Sequence, residues 1–202
     1  MIHRRLILHI ISVCFLAIAC HAAAPRNLMD GKIYLSSDSV ITSDDSIRIE
    51  IPVKHKPLRI VVNPYSAGQK VLRKLNPEEV DSLTLWNPTA PDRHHTFRYL
   101  SRYGWCLLLE QGDIISVYAF SPKGYTIAGN GGMWARKKLD VIVKKGDVTY
   151  IFSKTDKRAD NKFKKKIAAI VADDAELVSR IMQSSSRRDK MLRMLSLYSP
   201  DK

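Results

Sequence analysis

Two rhythms of apolar and polar residues divide this chain. Between Gly31 and Phe152 the apolar residues come in short runs and alternations, punctuated by Gly, Pro, Asn, Asp and Ser; beyond Asp160 they recur every three or four positions. Residues 46–51 alternate polar with apolar, the mark of a half-buried strand. Residues 31–35, 58–62, 83–86, 96–100, 139–143 and 148–152 read as further strands, with Pro52 and Pro57 limiting extension between 46–51 and 58–62. Residues 36–45 read as a polar hairpin or loop around Val40 and Ile41, 66–74 as a basic, loop-like segment and 87–95 as a polar loop. Asn76 before Pro77, Glu78 and Glu79 predicts a capped helical turn, and Lys145-Gly146-Asp147 predicts a hairpin turn.

The rest of the chain is organised around residues 104–134, which hold two of the three tryptophans and six of the nine glycines. Their apolar runs break at Gln111-Gly112, at Pro122-Lys123-Gly124 and at Gly129-Asn130-Gly131-Gly132. Short β-rich runs so divided predict adjacent antiparallel strands, a meander whose sheet supplies the core.

In the tail, Phe163, Ile167, Ile170 and Val171 share one helix face, and Lys162, Lys164, Lys165 and Lys166 populate the other. Asp173 and Asp174 interrupt this pattern and offer a cap to a second helix, with Leu177, Val178, Ile181 and Met182 on one side. Ser186 with Asp189 suggests a near capping box for a third, whose apolar face is Met191, Met194, Leu195 and Tyr198. Helices gathered after a run of strands predict an α+β fold, with a largely antiparallel sheet and the C-terminal helices packed against it. The expected layout is a leader at 1–22, a tether at 23–30, a β-rich domain at 31–158 and a helical appendage at 159–202.

The leader is read from Arg4 and Arg5, the 14-residue apolar run 6–19 broken only by His9 and Ser12, and the small residues Ala22, Ala23 and Ala24. That run falls short of the roughly 20 residues a spanning helix needs, and no transmembrane helix is expected in the mature chain. A cut after Ala22 puts Cys20 at the third position before the cleavage site. Residues 16–20 also resemble a bacterial lipobox, in which Cys20 is lipidated and heads the mature chain. The expected location is therefore periplasmic or secreted, or lipid-anchored at Cys20. A chain cut after Ala22 keeps only Cys106, which lies in an apolar run and reads as a small buried hydrophobe. The chain contains neither a CxxC pair nor a zinc spacing, and no cofactor is expected.

Charge changes this picture. The chain carries 33 Lys+Arg against 20 Asp+Glu, or +13, and +11 without Arg4 and Arg5. Residues 136–202 hold 18 of those cations against 9 acids, the strongest clusters being Lys162, Lys164, Lys165 and Lys166, then Arg187 and Arg188. Such a surface favours an anionic partner, acidic glycan or lipid headgroup, and competes with the plainer reading of solvated helix faces. Export and the lack of an RNP-type aromatic signature argue against nucleic acid.

Gly129, Asn130, Gly131 and Gly132 offer backbone N–H groups to an anion, flanked by Lys123 and Arg136, although the Lys-Ser/Thr of a P-loop is missing. The alternative is a tight turn needing positive φ. Asp92, His94 and His95 supply general-base chemistry in principle, but adjacent side chains of an extended segment point to opposite sides, and no GxSxG elbow accompanies them. Trp105 and Trp134 read as core, and Trp86 as partly exposed.

The run Phe163 to Ile181, with Leu195, Ser196, Leu197 and Tyr198, resembles the C-terminal part of uncharacterised exported proteins of Bacteroidota. There a basic helix, an acidic break before a Glu-Leu step and a closing helix ending near a Tyr recur. The resemblance is confined to the tail; it implies a Gram-negative periplasmic setting and no catalytic residues. Taken together, these features lead to the expectation of a non-enzymatic binding or interaction module with a basic surface, its partner an anionic envelope component or another envelope protein. The alternatives are a small hydrolase-like enzyme built on Asp92, His94 and His95, and a structural assembly partner in the envelope.

Overall fold

The computed structural model describes residues 27–64, 70–135 and 139–200. The leader with Cys20, most of the expected tether, residues 65–69 and 136–138, and the side chain of Trp134 lie outside the described residues. The fold is α+β. An 11-stranded antiparallel sheet runs in the order β13-β12-β9-β8-β7-β6-β1-β3-β4-β5, with β2 also paired to β1. The strands are β1 Leu28–Leu35, β2 Val40–Thr42, β3 Ile47–Glu50, β4 Leu58–Val62, β5 Lys70–Leu75, β6 Val80–Asn87, β7 Ala90–Leu100, β8 Gly104–Gln111, β9 Ile115–Phe120, β12 Asp140–Lys145 and β13 Val148–Phe152. Two further strands, β10 Tyr125–Ile127 and β11 Met133–Ala135, form a separate hairpin.

The first strand therefore sits in the middle. β1 pairs with β6 along one side, and with β3 then β2 along the other. Gly31 makes this possible: a Cβ there would lie 2.6 Å from both the Thr84 carbonyl oxygen and Leu85 Cδ2, and 3.0 Å from Ile49 Cδ1. Its amide donates to Ser43 Oγ at 2.8 Å, tying β1 to the chain just after β2.

Alternation along the strands puts two large clusters on the same face of the sheet. Towards β5 the cluster gathers Met29, Ile33, Ile49, Ile60, Leu83, Leu85, Phe97 and Trp105, closed by Tyr125 and Ile127 of the β10–β11 hairpin. Tyr125 meets Phe97 edge-on at 5.3 Å between ring centres, and its hydroxyl donates to the Ala119 carbonyl at 2.7 Å. Towards β13, Ile115, Val117, Val141, Val143 and Phe152 pack under the helices. Each such side chain, fully buried, stabilises the fold by roughly 1.5–3 kcal/mol. The opposite face carries a smaller cluster of Cys106, Tyr118 and Ile142.

The helices are α1 Asn161–Ala168, running on into a 3-10 turn Ala169–Val171, then α2 Ala175–Gln183, and α3 Arg188–Arg193 continued by a 3-10 turn Met194–Leu197. Their predicted apolar faces hold: Phe163, Ile167, Ile170, Val171, Leu177, Ile181, Met191, Leu195 and Tyr198 are all buried. Asp160 caps α1 by accepting from the Phe163 amide at 2.7 Å, and Asp174 caps α2 from Leu177 at 2.9 Å. Lys145 at the end of β12 clasps the bundle to the sheet. It donates to the Ile170 carbonyl at 2.9 Å and lies 4.0 Å from the centre of the Tyr198 ring, while the Tyr198 hydroxyl donates to Asp173. The helices thus share a core with the sheet.

Several local expectations are corrected. β1 begins at Leu28, with Met29 buried, so the expected tether is shorter than residues 23–30. Residues 70–74, expected as loop, belong to strand β5; a bulge between Ile60 and Val61 in the β4 pairing disrupts the period-2 pattern that would have revealed it. Residues 90–95 belong to β7: Asn87 folds the Pro88-Thr89 turn by accepting from the Thr89 amide at 2.9 Å, and pairing resumes at once with Ala90. The meander leaves the main sheet at β10. Ser186 does not cap α3, whose first amides, Arg188 and Asp189, donate to the Lys157 and Thr155 carbonyls at 2.9 Å each.

Gly31→Ala is expected to lower stability by about 2 kcal/mol, because Thr84 backbone blocks the added carbon; a chemical-denaturation midpoint checks it. The clasp also predicts acid sensitivity. The Tyr198 hydroxyl, with a smaller contribution from Lys145, holds Asp173 below the ordinary 3.8, and the Phe163 amide and Arg188 do the same for Asp160. A carboxyl lowered in the folded state contributes stability that is complete above its unfolded value and lost as pH falls through its folded one. Stability should therefore decline below 3.8, and Tyr198→Phe should make that decline shallower in urea titrations across pH.

Candidate binding surface

The glycine loop is docked rather than open. Asn87 Nδ2 donates to the Ala128 carbonyl at 3.0 Å, the Thr89 hydroxyl donates to the Gly129 carbonyl, and His95 Nε2 lies 2.7 Å from the Gly131 carbonyl. Gly131, at φ +75°, passes so close to β7 that a Cβ would meet Ala90 and Arg93 at 2.9 Å. Its amide donates to the Ala128 carbonyl at 2.9 Å, and that of Gly132 to Asn130 Oδ1 at 3.0 Å. Two of the loop's four N–H groups are thus engaged inside the turn. Those of Gly129 and Asn130 remain on an exposed tip.

Both histidines of the pair have partners within the fold. His95 fastens the loop, and His94 packs against Trp86 of β6 at 4.9 Å between ring centres, the rings tilted by 45°. No hydrogen bond joins Asp92 to either ring among the described residues, and no group of three or more His, Cys, Asp or Glu there is placed to hold a metal ion. Cys106 is fully buried, and desolvation pushes its thiol up to about 12.

The tail cations are largely engaged in holding the helices. Lys164 Nζ donates to the Met182 carbonyl at 2.9 Å, satisfying the C-terminal turn of α2. Lys166 lies over the Phe152 ring at 5.0 Å. Arg188 pairs with Asp160 at 2.8 Å and covers the Phe163 ring at 4.8 Å, while Arg187 pairs with Asp189 at 3.1 Å. Lys162 and Lys165 have no ion pair or hydrogen bond of this kind among the described residues.

A second basic region extends well beyond the basic loop expected at residues 66–74. Between Glu50 and Glu78 there is no acidic residue, and the interval holds Lys54, Lys56, Arg59, Lys70, Arg73 and Lys74. That acid-free interval was the available signal, masked by a net total that the tail dominates. In the fold it becomes the border formed by the β3–β4 connection, β4 and β5. Trp105 fixes the connection: its amide donates to the Lys54 carbonyl at 2.9 Å and its indole N–H to the Lys56 carbonyl at 3.2 Å. Lys56, Pro57, Arg59, Val71 and Lys74 line a depression of about 390 Å³ here. Arg59 pairs with Glu50 at 3.0 Å and Arg73 reaches Glu79 at 3.9 Å; Lys56, Lys70 and Lys74 have no ion pair among the described residues. A larger cavity of about 470 Å³, under the β7–β8 turn, mixes Glu78 and Asp147 with Arg102 and Lys144 and so favours no sign of charge.

No family model, curated protein or solved structure matches the chain. No helix among the described residues is long and apolar enough to cross a membrane.

The division of labour among the tail lysines is testable by thermal or urea unfolding. Lys164→Ala should cost about 1 kcal/mol through the lost bond to Met182. Lys165→Ala should leave stability unchanged.

Proposed function

We propose that this chain is an exported, non-enzymatic module of the bacterial envelope that binds an anionic partner through a basic surface. The reading is carried by the border around β4 and β5, where Lys56, Lys70 and Lys74 stand exposed without ion pairs among the described residues. Cations held in structural pairs gain little from a new anion, whereas unpaired ones lower their energy when it arrives. Lys165, with the exposed Gly129 and Asn130 tip, supplies a secondary contact. The leader pattern supports a periplasmic or secreted location, with attachment through a lipidated Cys20 as the alternative. A second reading, a structural assembly partner in the envelope, draws support from the two open sheet edges, β5 and β13, the latter exposing Val148 and Ile151. The hydrolase reading gains no support from His94 and His95, which are engaged with Trp86 and Gly131.

Binding of residues 23–202 to heparin, polyglutamate and anionic vesicles across a salt series tests the main reading. Affinity should fall by about tenfold or more between roughly 50 and 200 mM salt, as expected when several cations are neutralised together. Binding indifferent to salt, or none, would remove the basic surface from the function.

A further inference from the structure

Edge strand β5 adds a more specific possibility, which rests on the anionic-partner reading. We infer that β5 takes up an extended acidic polypeptide segment as an additional antiparallel strand, with an apolar side chain of the segment beside Val71 and a carboxylate two residues away, on the same face, against Lys74. β5 is the terminal strand of the sheet, and each of Lys70, Val71, Leu72, Arg73 and Lys74 is exposed. A terminal strand presents unpaired N–H and C=O groups, and an incoming strand completes that ladder. Sugars and lipid headgroups offer no matching row of peptide groups.

The side chains select the partner. Register pairs Lys74 with Arg59, and Val71 with Val61, across β4 and β5. Because Leu72 is the extra residue of the bulge, Val71 comes onto the same face as Lys74 and Arg59 instead of alternating away from them. That face holds the depression of about 390 Å³, lined by Pro57 and Val71 together with Lys56, Arg59 and Lys74. A partner strand puts every second side chain on this face, so an apolar residue beside Val71 is followed two positions on by an Asp or Glu against Lys74. Lys70 and Lys74, without ion pairs among the described residues, bring like charges together when two copies of this edge meet, which disfavours self-pairing through β5. The other edge, β13, has no Lys or Arg within Val148–Phe152 and makes no such selection.

The test uses residues 23–202 and a fluorescent eight-residue peptide, Glu-Thr-Val-Thr-Glu-Thr-Val-Thr, which sets Glu and Val in turn along one face. Two further peptides carry backbone N-methyl groups on the Glu and Val residues or on the Thr residues. A strand donates to its host from every second residue, so one methylated peptide should bind unchanged and the other should lose about tenfold or more in affinity. Lys74→Glu should weaken the parent peptide by about tenfold, and Lys190→Glu, at an exposed lysine of α3, should not. Slowed amide exchange at residues 70–75 on peptide addition gives a readout on the unaltered protein. Equal binding of all three peptides, or slowed exchange elsewhere than β5, would overturn strand addition while leaving anion binding intact. Heparin binding with no peptide binding would overturn it equally. Failure of both heparin and peptides would overturn the anionic-partner reading as well.

Discussion

The sheet depends on how closely two strands approach at Gly31. β1 is the strand from which both halves are built: β2, β3, β4 and β5 extend from one side of it, and β6 onward from the other. Leu85, Thr84 and Ile49 converge on the space that a side chain at position 31 would fill. With hydrogen there, the β1–β6 ladder and the contact with Ile49 coexist, and one continuous apolar face runs from Leu75 to Phe152. Helices and hairpin then have different tasks on that face. The bundle covers β9, β12 and β13, while β10 and β11 close the end nearer β5.

The expected elements held wherever one periodicity persisted. Ile47, Arg48, Ile49 and Glu50 alternate without interruption, and each tail helix shows its buried face at three- and four-residue spacing. The strands that escaped notice are those where the pattern is broken by the structure itself. β5 contains a bulge at Leu72, and β7 starts with a Pro- and His-rich segment whose pairing shifts between Leu85 and Asn87. Which strands neighbour each other was also beyond pattern reading. Alternation says that a residue faces a core; it does not say that β1 separates β3 from β6.

The candidate surface was legible in the same partial way. Net charge identified the tail because charges add along a sequence regardless of what they touch. Structure separates them by surroundings: Lys164, Lys166 and Arg188 each contact a carbonyl, a ring or a carboxylate of their own fold. The border at β5 carries fewer cations, but they stand together because Trp105 anchors the β3–β4 connection and strand pairing aligns Arg59 with Lys74. Likewise, the glycine loop looked like an anion cradle because its composition permits one. Its carbonyls, held by Asn87, Thr89 and His95, show that much of that permissiveness serves close packing against β7.

Cys106 gives the molecule a built-in reporter. Its side chain is fully enclosed between Tyr118 and Ile142, on the face away from the helices, and its Sγ contacts the Gly104 carbonyl at 3.5 Å. A thiol held near 12 in the closed protein is almost wholly un-ionised at neutral pH, so an alkylating reagent meets a reactive thiolate only after β8 and its neighbours separate. The rate of alkylation in residues 23–202 therefore counts openings of the central sheet, independently of any fraying in the helices.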